Sequence, residues 1–429
     1  MLPECRTKGD VFSIPKFSVV KEDIDDFMQE LEVFHGEFSD CFLRSEPRTN
    51  FFQYMVGQFS ELERKSIEPI AMNIGNGKVR SMQRFISDVM WDANKMLDKY
   101  RSMVNEDMGD PNGVVIFDES GFVKKGDNSA GVAKQYCGTA GKVENCQVGV
   151  YAAYASPHGY CLLDNNLFIP EKWFTDEYTE RREKCKFPEN SEFKTKPQLA
   201  VDMFGELVKD DVLPFKFVVA DTIYGNSTDF IEAIEVCPDK TYFVSIPCST
   251  KCWLKQPITR NKKYKYSGEI RSKQVLGKHE NKPLPVDTIS KNLNNYFWYR
   301  RTVSEGTKGP IEYEFTKRRV VLAKDGLPWK HVWLIIKRTL GDEPSYYYYI
   351  SNAGENTPLK TFVWLSGIRW AIEQSFEETK SVLGMDHYEV RKLPGWKHHM
   401  ITCMLAHFFL WHLKIRLGEK STIYYFIAA

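Results

Sequence analysis

The chain has 429 residues, enough for about two to four domains. A composition that is 42% hydrophobic and 27% charged is that of a globular protein, and it excludes a disordered chain or a collagen-like repeat. The net charge of +1 hides a segregation: 28 Lys and Arg stand against 41 Asp and Glu over residues 1–250, 13 against 3 over 251–301, and 17 against 13 beyond.

In chain order, the first hundred residues read as helices. Phe27, Leu31, Phe34, Phe38 and Phe42 recur at helical spacing, and a longer apolar stripe runs from Val79 to Tyr100. The turn residues Asp110-Pro111-Asn112-Gly113 mark a boundary, after which the period changes. Val114 to Phe117 is a short buried strand that delivers Asp118 at its end. Strands over Cys146 to Ala155 and Tyr160 to Phe168 flank a turn at Ser156 to Gly159, and Leu199 to Leu207 is helical. A second buried strand, Phe215 to Ala220, ends on Asp221, followed by a helix over Ser227 to Val236 and a strand over Tyr242 to Ile246. This order predicts an α/β fold with a mixed sheet. Residues 251–357 break the rhythm with short alternating stretches at Tyr296 to Arg300, Arg318 to Leu322, Val332 to Ile336 and Tyr346 to Ile350, a β-rich unit that carries the basic segment. One helical stretch is expected from Lys360 to Leu383 and a last helix over Trp396 to Leu413.

Two carboxylates at strand ends, Asp118 and Asp221, stand where open α/β sheets place their sites. Glu373 on the late helix adds a third, with Arg369 and Lys380 at i−4 and i+7 from it on one stripe. Asp118, Asp221 and Glu373 offer only hard oxygen donors, which suit two Mg²⁺ or Mn²⁺ ions rather than zinc. Such a pair of ions can serve phosphodiester cleavage, where the Arg369 fork and the Lys380 point charge would hold phosphates; taken singly, the same residues also read as a solvated helix face with an i,i+4 ion pair and two strand-end turn carboxylates. The excess of cations over 251–301 suits a polyanion, since every phosphate contact releases counterions; Lys251, Lys255, Arg260, Lys262, Lys263 and Lys265 are its leading residues.

The stretches Phe117 to Gly126, Gly131 to Lys142 and Asn145 to Val148, the pairs Ala220-Asp221 and Tyr224-Gly225, and Arg369 to Glu373 with Phe376 and Lys380 together resemble the bacterial insertion-sequence transposases of the DDE superfamily. The resemblance implies an RNase H-like catalytic domain built from residues 111–250 and 358–429, with the β-rich basic insertion at 251–357 and a helical N-terminal domain at 1–110 that binds DNA. It implies a cut-and-paste transposase: an enzyme that binds the terminal inverted repeats of its element, cleaves phosphodiester bonds and joins the 3′ ends to target DNA. Double-stranded DNA, as transposon ends and as target, is the partner it implies, with a homodimer forming on the DNA in the bacterial cytoplasm at the nucleoid. Cleavage through a DNA hairpin, known among such relatives, would call for an aromatic platform, and Trp298 in the run Tyr296 to Tyr299 is the candidate, with ordinary strand packing as the leading account of the same aromatics. Ser366 departs from the signature, in which a Tyr stands three residues before the Arg.

Other classes fare worse against the residues. Even the stretch Met400 to Leu413 is broken by Thr402, His407 and His412, so no membrane span is expected, and Glu4, Arg6, Lys8 and Asp10 leave no apolar leader. The ten cysteines are scattered, with Cys248 and Cys252 the close pair, as reduced core thiols are. Gly138 to Lys142 imitates a phosphate-binding loop, but Tyr136 and Val143 stand where it needs Gly and a hydroxyl. His398, His399 and His407 read as core or rim histidines. A transposase-derived DNA-binding protein that no longer cuts is the nearest alternative, and a carbohydrate-active hydrolase using paired carboxylates is a more distant one that leaves the basic segment unexplained.

Overall fold

The computed structural model describes residues 21–417, apart from 90, 268, 307 and 308. Two compact units divide the chain: Met1–Lys216 with Trp370–Ala429, and Phe217–Arg369.

The first unit opens with helices α1 (Lys21–Gly36), α2 (Ser45–Phe59), α3 (Ile67–Asn73), α4 (Val79–Ser87) and α5 (Ala93–Met108). Phe27, Leu31 and Phe34 form the buried stripe of α1, while Phe38 and Phe42 reach the same core from beyond its end. The long stripe expected from Val79 to Tyr100 is split. Asp92 accepts the backbone N–H of Lys95 at 2.9 Å and so caps a new helix, α5, where the periodicity runs on.

Strands β1 (Val114–Val123), β2 (Ala133–Cys137), β3 (Lys142–Ser156) and β4 (Gly159–Phe168) follow, then helices α6 (Thr179–Lys184) and α7 (Lys196–Asp210). β3 is the organising strand, antiparallel to β1, β2 and β4. β1 does not stop at Asp118. Its next five residues, Glu119 to Val123, go on pairing with Val150 to Cys146, because the partner strand is 15 residues long and offers the ladder.

The second unit holds β5 (Phe217–Ala220), α8 (Thr222–Gly225), α9 (Thr228–Glu235) and β6 (Thr241–Ser245), then β7 (Lys251–Trp253), β8 (Thr259–Tyr266), β9 (Glu269–Leu276) and β10 (Leu284–Pro285). It continues through α10 (Val286–Lys291), β11 (Tyr299–Gly306), β12 (Gly309–Lys324), β13 (Leu327–Arg338), β14 (Tyr346–Ser351) and α11 (Leu359–Ile368). β5 and β6 are parallel, and from β6 the sheet runs antiparallel through β14, β13, β12 and β7 to β10, with β11 on β12. β8 and β9 pair only with each other, as a separate two-stranded sheet. The α/β class with a mixed sheet is borne out, with an antiparallel meander in one unit and a parallel pair in the other.

The chain closes the first unit with α12 (Trp370–Ser381) and α13 (Leu393–Leu417). Phe408 and Phe409 of α13 pack on Phe34, and Phe408 meets Tyr100 edge-on, so the last helix seals the N-terminal helices. Arg101 of α5, almost fully buried, pairs with Asp164 of β4 at 2.9 Å and with Asp210 of α7 at 2.7 Å. Among the described residues no helix is long and apolar enough to cross a membrane.

His398 and His399 are buried in α13, as core histidines. Nδ1 of His398 lies 2.8 Å from the Ile86 carbonyl with Trp91 stacked on the ring, and His399 bridges the Tyr54 hydroxyl and the Met385 carbonyl. Burial pushes both rings down to about 4. Between the ordinary histidine value and 4 the unfolded chain therefore binds protons that the folded chain refuses. Stability should be intact above about pH 6.5 and fall as pH drops through that window, by up to ~1.4 kcal/mol per pH unit for each ring. Urea unfolding at pH 7 and pH 5 tests this, and equal midpoints would contradict it.

Candidate functional site

Within the first unit, Asp118 sits in β1 directly after the fully buried run Val114 to Phe117. Its half-buried carboxylate accepts the backbone N–H of Glu119 at 2.9 Å. Glu119 adds a carboxylate oxygen within 4.8 Å of that of Asp118. Strand alternation argues against such a neighbour, which is why sequence reasoning passes Glu119 over. Its charge is balanced by Lys196 of α7, whose ammonium lies 2.8 Å away.

Glu373 is exposed in the first turn of α12, where the helix dipole favours a carboxylate. Polar contacts on the rest of the helix hold it in place. Glu378 accepts the Tyr160 hydroxyl at 2.7 Å and faces Nε2 of His407 at the same distance. Burial would raise that carboxyl, but the His407 and Tyr160 bonds hold it below its ordinary value. Two residues further, the Lys380 ammonium donates to the Gly121 carbonyl and to the Thr139 hydroxyl, both at 3.1 Å, and lies 4.8 Å from the Phe122 ring. Burial pushes its pKa below the usual lysine value. Lys380 thus ties the helix of Glu373 to the strand of Asp118, using two of its three N–H donors. Just past the end of β1, burial brings Lys124 down to about 8, and its ammonium lies 3.3 Å from the centre of the Tyr388 ring.

In the second unit, Asp221 follows β5 directly and caps α8, accepting the Ile223 N–H at 2.9 Å. The neighbouring Tyr224-Gly225 pair has a packing reason: Tyr224 is fully buried, and a Cβ on Gly225 would stand 1.9 Å from the Ser245 carbonyl oxygen. Arg369 does not share a helix with Glu373 and Lys380. α11 ends at Ile368 and α12 begins at Trp370, with the Arg369 N–H turned to the Gly367 carbonyl, so the single helix expected from Lys360 to Leu383 is two. Ser366 bonds back to the Val363 carbonyl at 2.8 Å within α11.

Lys251 on β7, Lys255 after it, and Arg260, Lys262, Lys263 and Lys265 on β8 are all exposed. The strand expected from Tyr296 begins only at Tyr299, because residues 295–297 form a 3₁₀ turn. Trp298 lies buried at 7% exposure, edge-on to Tyr346 and under the Arg338 guanidinium at 4.1 Å, and so presents no open face. Its neighbours Phe297 and Tyr299 instead line a cavity of about 370 Å³ together with Arg301, Lys317 and Arg318.

A family model described as DDE superfamily endonuclease matches residues 37–310. A probable transposase for insertion sequence element IS701 from Microchaete diplosiphon is 28% identical over 190 residues, which is 43% of this chain and 45% of that protein. The chain thus spans less than half the length of that relative. Among solved structures, a cryo-EM structure of the piggyBac transposase synaptic complex with hairpin DNA aligns with 94% of this chain and 76% of its own, at 10% identity and a TM-score of 0.44.

The bonds of Lys380 make a stability prediction. Lys380→Met keeps the length of the stem and removes two charge-assisted hydrogen bonds, so it should cost about 1.5 to 3 kcal/mol in urea unfolding. A midpoint equal to that of the parent protein would show that the tie between α12 and β1 carries no load.

Proposed function

The chain belongs to the DDE superfamily endonucleases, and from that premise we propose that it is a DNA transposase that binds the inverted repeats at the ends of its own insertion sequence, cuts them and joins the 3′ ends to target DNA. The observation that carries this reading is the family match over residues 37–310, which spans both Asp118 and Asp221. The resemblance to insertion-sequence transposases read from the motifs is borne out by the IS701 relative.

We assign Asp118, Asp221 and Glu373 as the metal-holding triad. Their donor set is hard oxygen, and Asp118 already has a partner carboxylate nearby in Glu119, so the residues fit Mg²⁺ or Mn²⁺. Two such ions would activate the attacking oxygen and steady the leaving one at the phosphodiester. The protein's own residues do the rest. Lys380 sets α12 against β1, and its remaining N–H is available to a phosphate oxygen; Arg369 supplies a fork for another. The exposed cations Lys251, Lys255, Arg260, Lys262, Lys263 and Lys265 hold the DNA backbone, and the helices of residues 21–108 add contacts to the repeat. Two copies act together on two ends, in the bacterial cytoplasm.

Asp118→Asn, Asp221→Asn and Glu373→Gln should each lower cleavage of an end-containing duplex by about 100-fold or more while leaving duplex binding within a few-fold of the parent. A variant that cleaves normally would lose its place in the triad. Cleavage should also vanish in excess chelator and return with Mg²⁺ or Mn²⁺, whereas Ca²⁺, larger and looser in its coordination, should support binding with poor cleavage. Undiminished cutting in chelator would overturn the metal assignment.

A further inference from the structure

We propose that the β8–β9 hairpin is a two-stranded ribbon that lies, by one defined face, in the major groove of duplex DNA. The inference rests on the reading that this chain acts on DNA, and it adds the element, the face and the groove.

Beyond its half-buried base at Thr259, Val275 and Leu276, the hairpin serves no core. Each strand has eight residues, the two pair only with one another, and every described residue from 260 to 274 is exposed. An isolated hairpin of this kind is marginal in water, so a long exposed one is unusual unless a partner covers it. Its charge says which kind of partner. Six cations, Arg260, Lys262, Lys263, Lys265, Arg271 and Lys273, stand against the single carboxylate Glu269.

The register divides them between two faces. Directly opposed residues share a face, so Arg260, Lys262, Tyr264 and Tyr266 lie beside Val275, Lys273, Arg271 and Glu269. The other face holds only Lys263 and Lys265 among Asn261, Ser272, Gln274 and Ile270. Four cations with two exposed tyrosines thus form one surface. Lys262 stands directly across from Lys273, a like-charge pair that destabilises a free ribbon and becomes favourable once an anion lies over it. Arg271 is braced by the Tyr266 ring at 5.0 Å and by Glu269 at 3.2 Å, which holds its guanidinium over the surface.

Dimensions select the groove. Two strands about 4.8 Å apart, with side chains, match a major groove ~12 Å wide and exceed a minor groove ~6 Å wide. Eight residues at ~3.3 Å each give a ribbon about 26 Å long, most of one helical turn of B-DNA. The turn helps: Ser267 has φ of 49°, the left-handed conformation of a tight hairpin turn whose twist suits the strands. Duplex RNA is excluded by the same arithmetic, because its major groove is deep and narrow.

The test uses the full chain and a random-sequence DNA duplex, with affinity measured across a salt series and guanine N7 protection from methylation read on the same complex. Lys262→Ala, Arg271→Ala and Lys273→Ala together should flatten the plot of log affinity against log salt by about two to three units, at ~0.9 per lost phosphate contact. Lys263→Ala with Lys265→Ala, on the other face, should flatten it by less per charge removed than the triple variant does. The parent protein should protect guanine N7, which faces the major groove, and the triple variant should not. All substituted side chains are exposed, so unchanged thermal unfolding is the control for folding. If the parent cuts and binds DNA but the triple variant keeps its slope, the ribbon assignment is overturned and the transposase reading stands. If the parent binds without N7 protection, or if duplex RNA competes equally, the major groove is overturned. If the parent neither cuts an end-containing duplex nor binds DNA, the functional reading and the inference fail together.

Discussion

Ten residue pairs join β1 to β3, from Val114 opposite Ala155 to Val123 opposite Cys146, and the first unit depends on this ladder. Because side chains alternate along a strand, a slip of one residue would turn Asp118 to the other face and expose the apolar residues beside it. Val114 to Phe117, all fully buried, make that slip costly. The far end of the same ladder offers the Gly121 carbonyl on which Lys380 docks. Asp118 and Glu373 therefore sit on elements whose positions share one reference, the register of β1.

Buried polar groups reinforce that reference. Glu378, Tyr160 and His407 connect α12 to β4 and α13, and Arg101 connects α5 to β4 and α7. Networks of this kind contribute little net stability compared with apolar packing, but they penalise any arrangement that leaves a charge buried and unpaired.

In the second unit the most exposed basic element stands apart from the core. Its buried residues lie on β12, β13, β14 and α11, for example Val320, Leu334, Ile335, Ile350 and Phe362. Six of its cations lie on the β8–β9 ribbon, where every described residue from 260 to 274 is exposed. Mutual repulsion along the ribbon is thereby kept away from the groups that keep the unit folded, and the surface can stay strongly basic in a chain of nearly neutral net charge.

Much of this was determined by sequence alone. The strands around the Ser156 to Gly159 turn, α7, α9 and α13 follow from local periodicity, since burying one face forces a period of two or of 3.6. The triad candidates follow from strand-end carboxylates and a helix charge pattern, and the basic segment from counting. Tertiary structure decided what depends on partners distant in the chain. β1 runs past Asp118 because β3 is long enough to receive it; Glu119 approaches Asp118 although alternation alone would part them; Trp298 is covered by Tyr346 and Arg338, from strands far along the chain. Lys380 spends its donors on Gly121 and Thr139, more than 200 positions away, a destination no local pattern encodes. Periodicity records which face of an element is buried, whereas the atoms that meet it there are set by the packing of the whole chain.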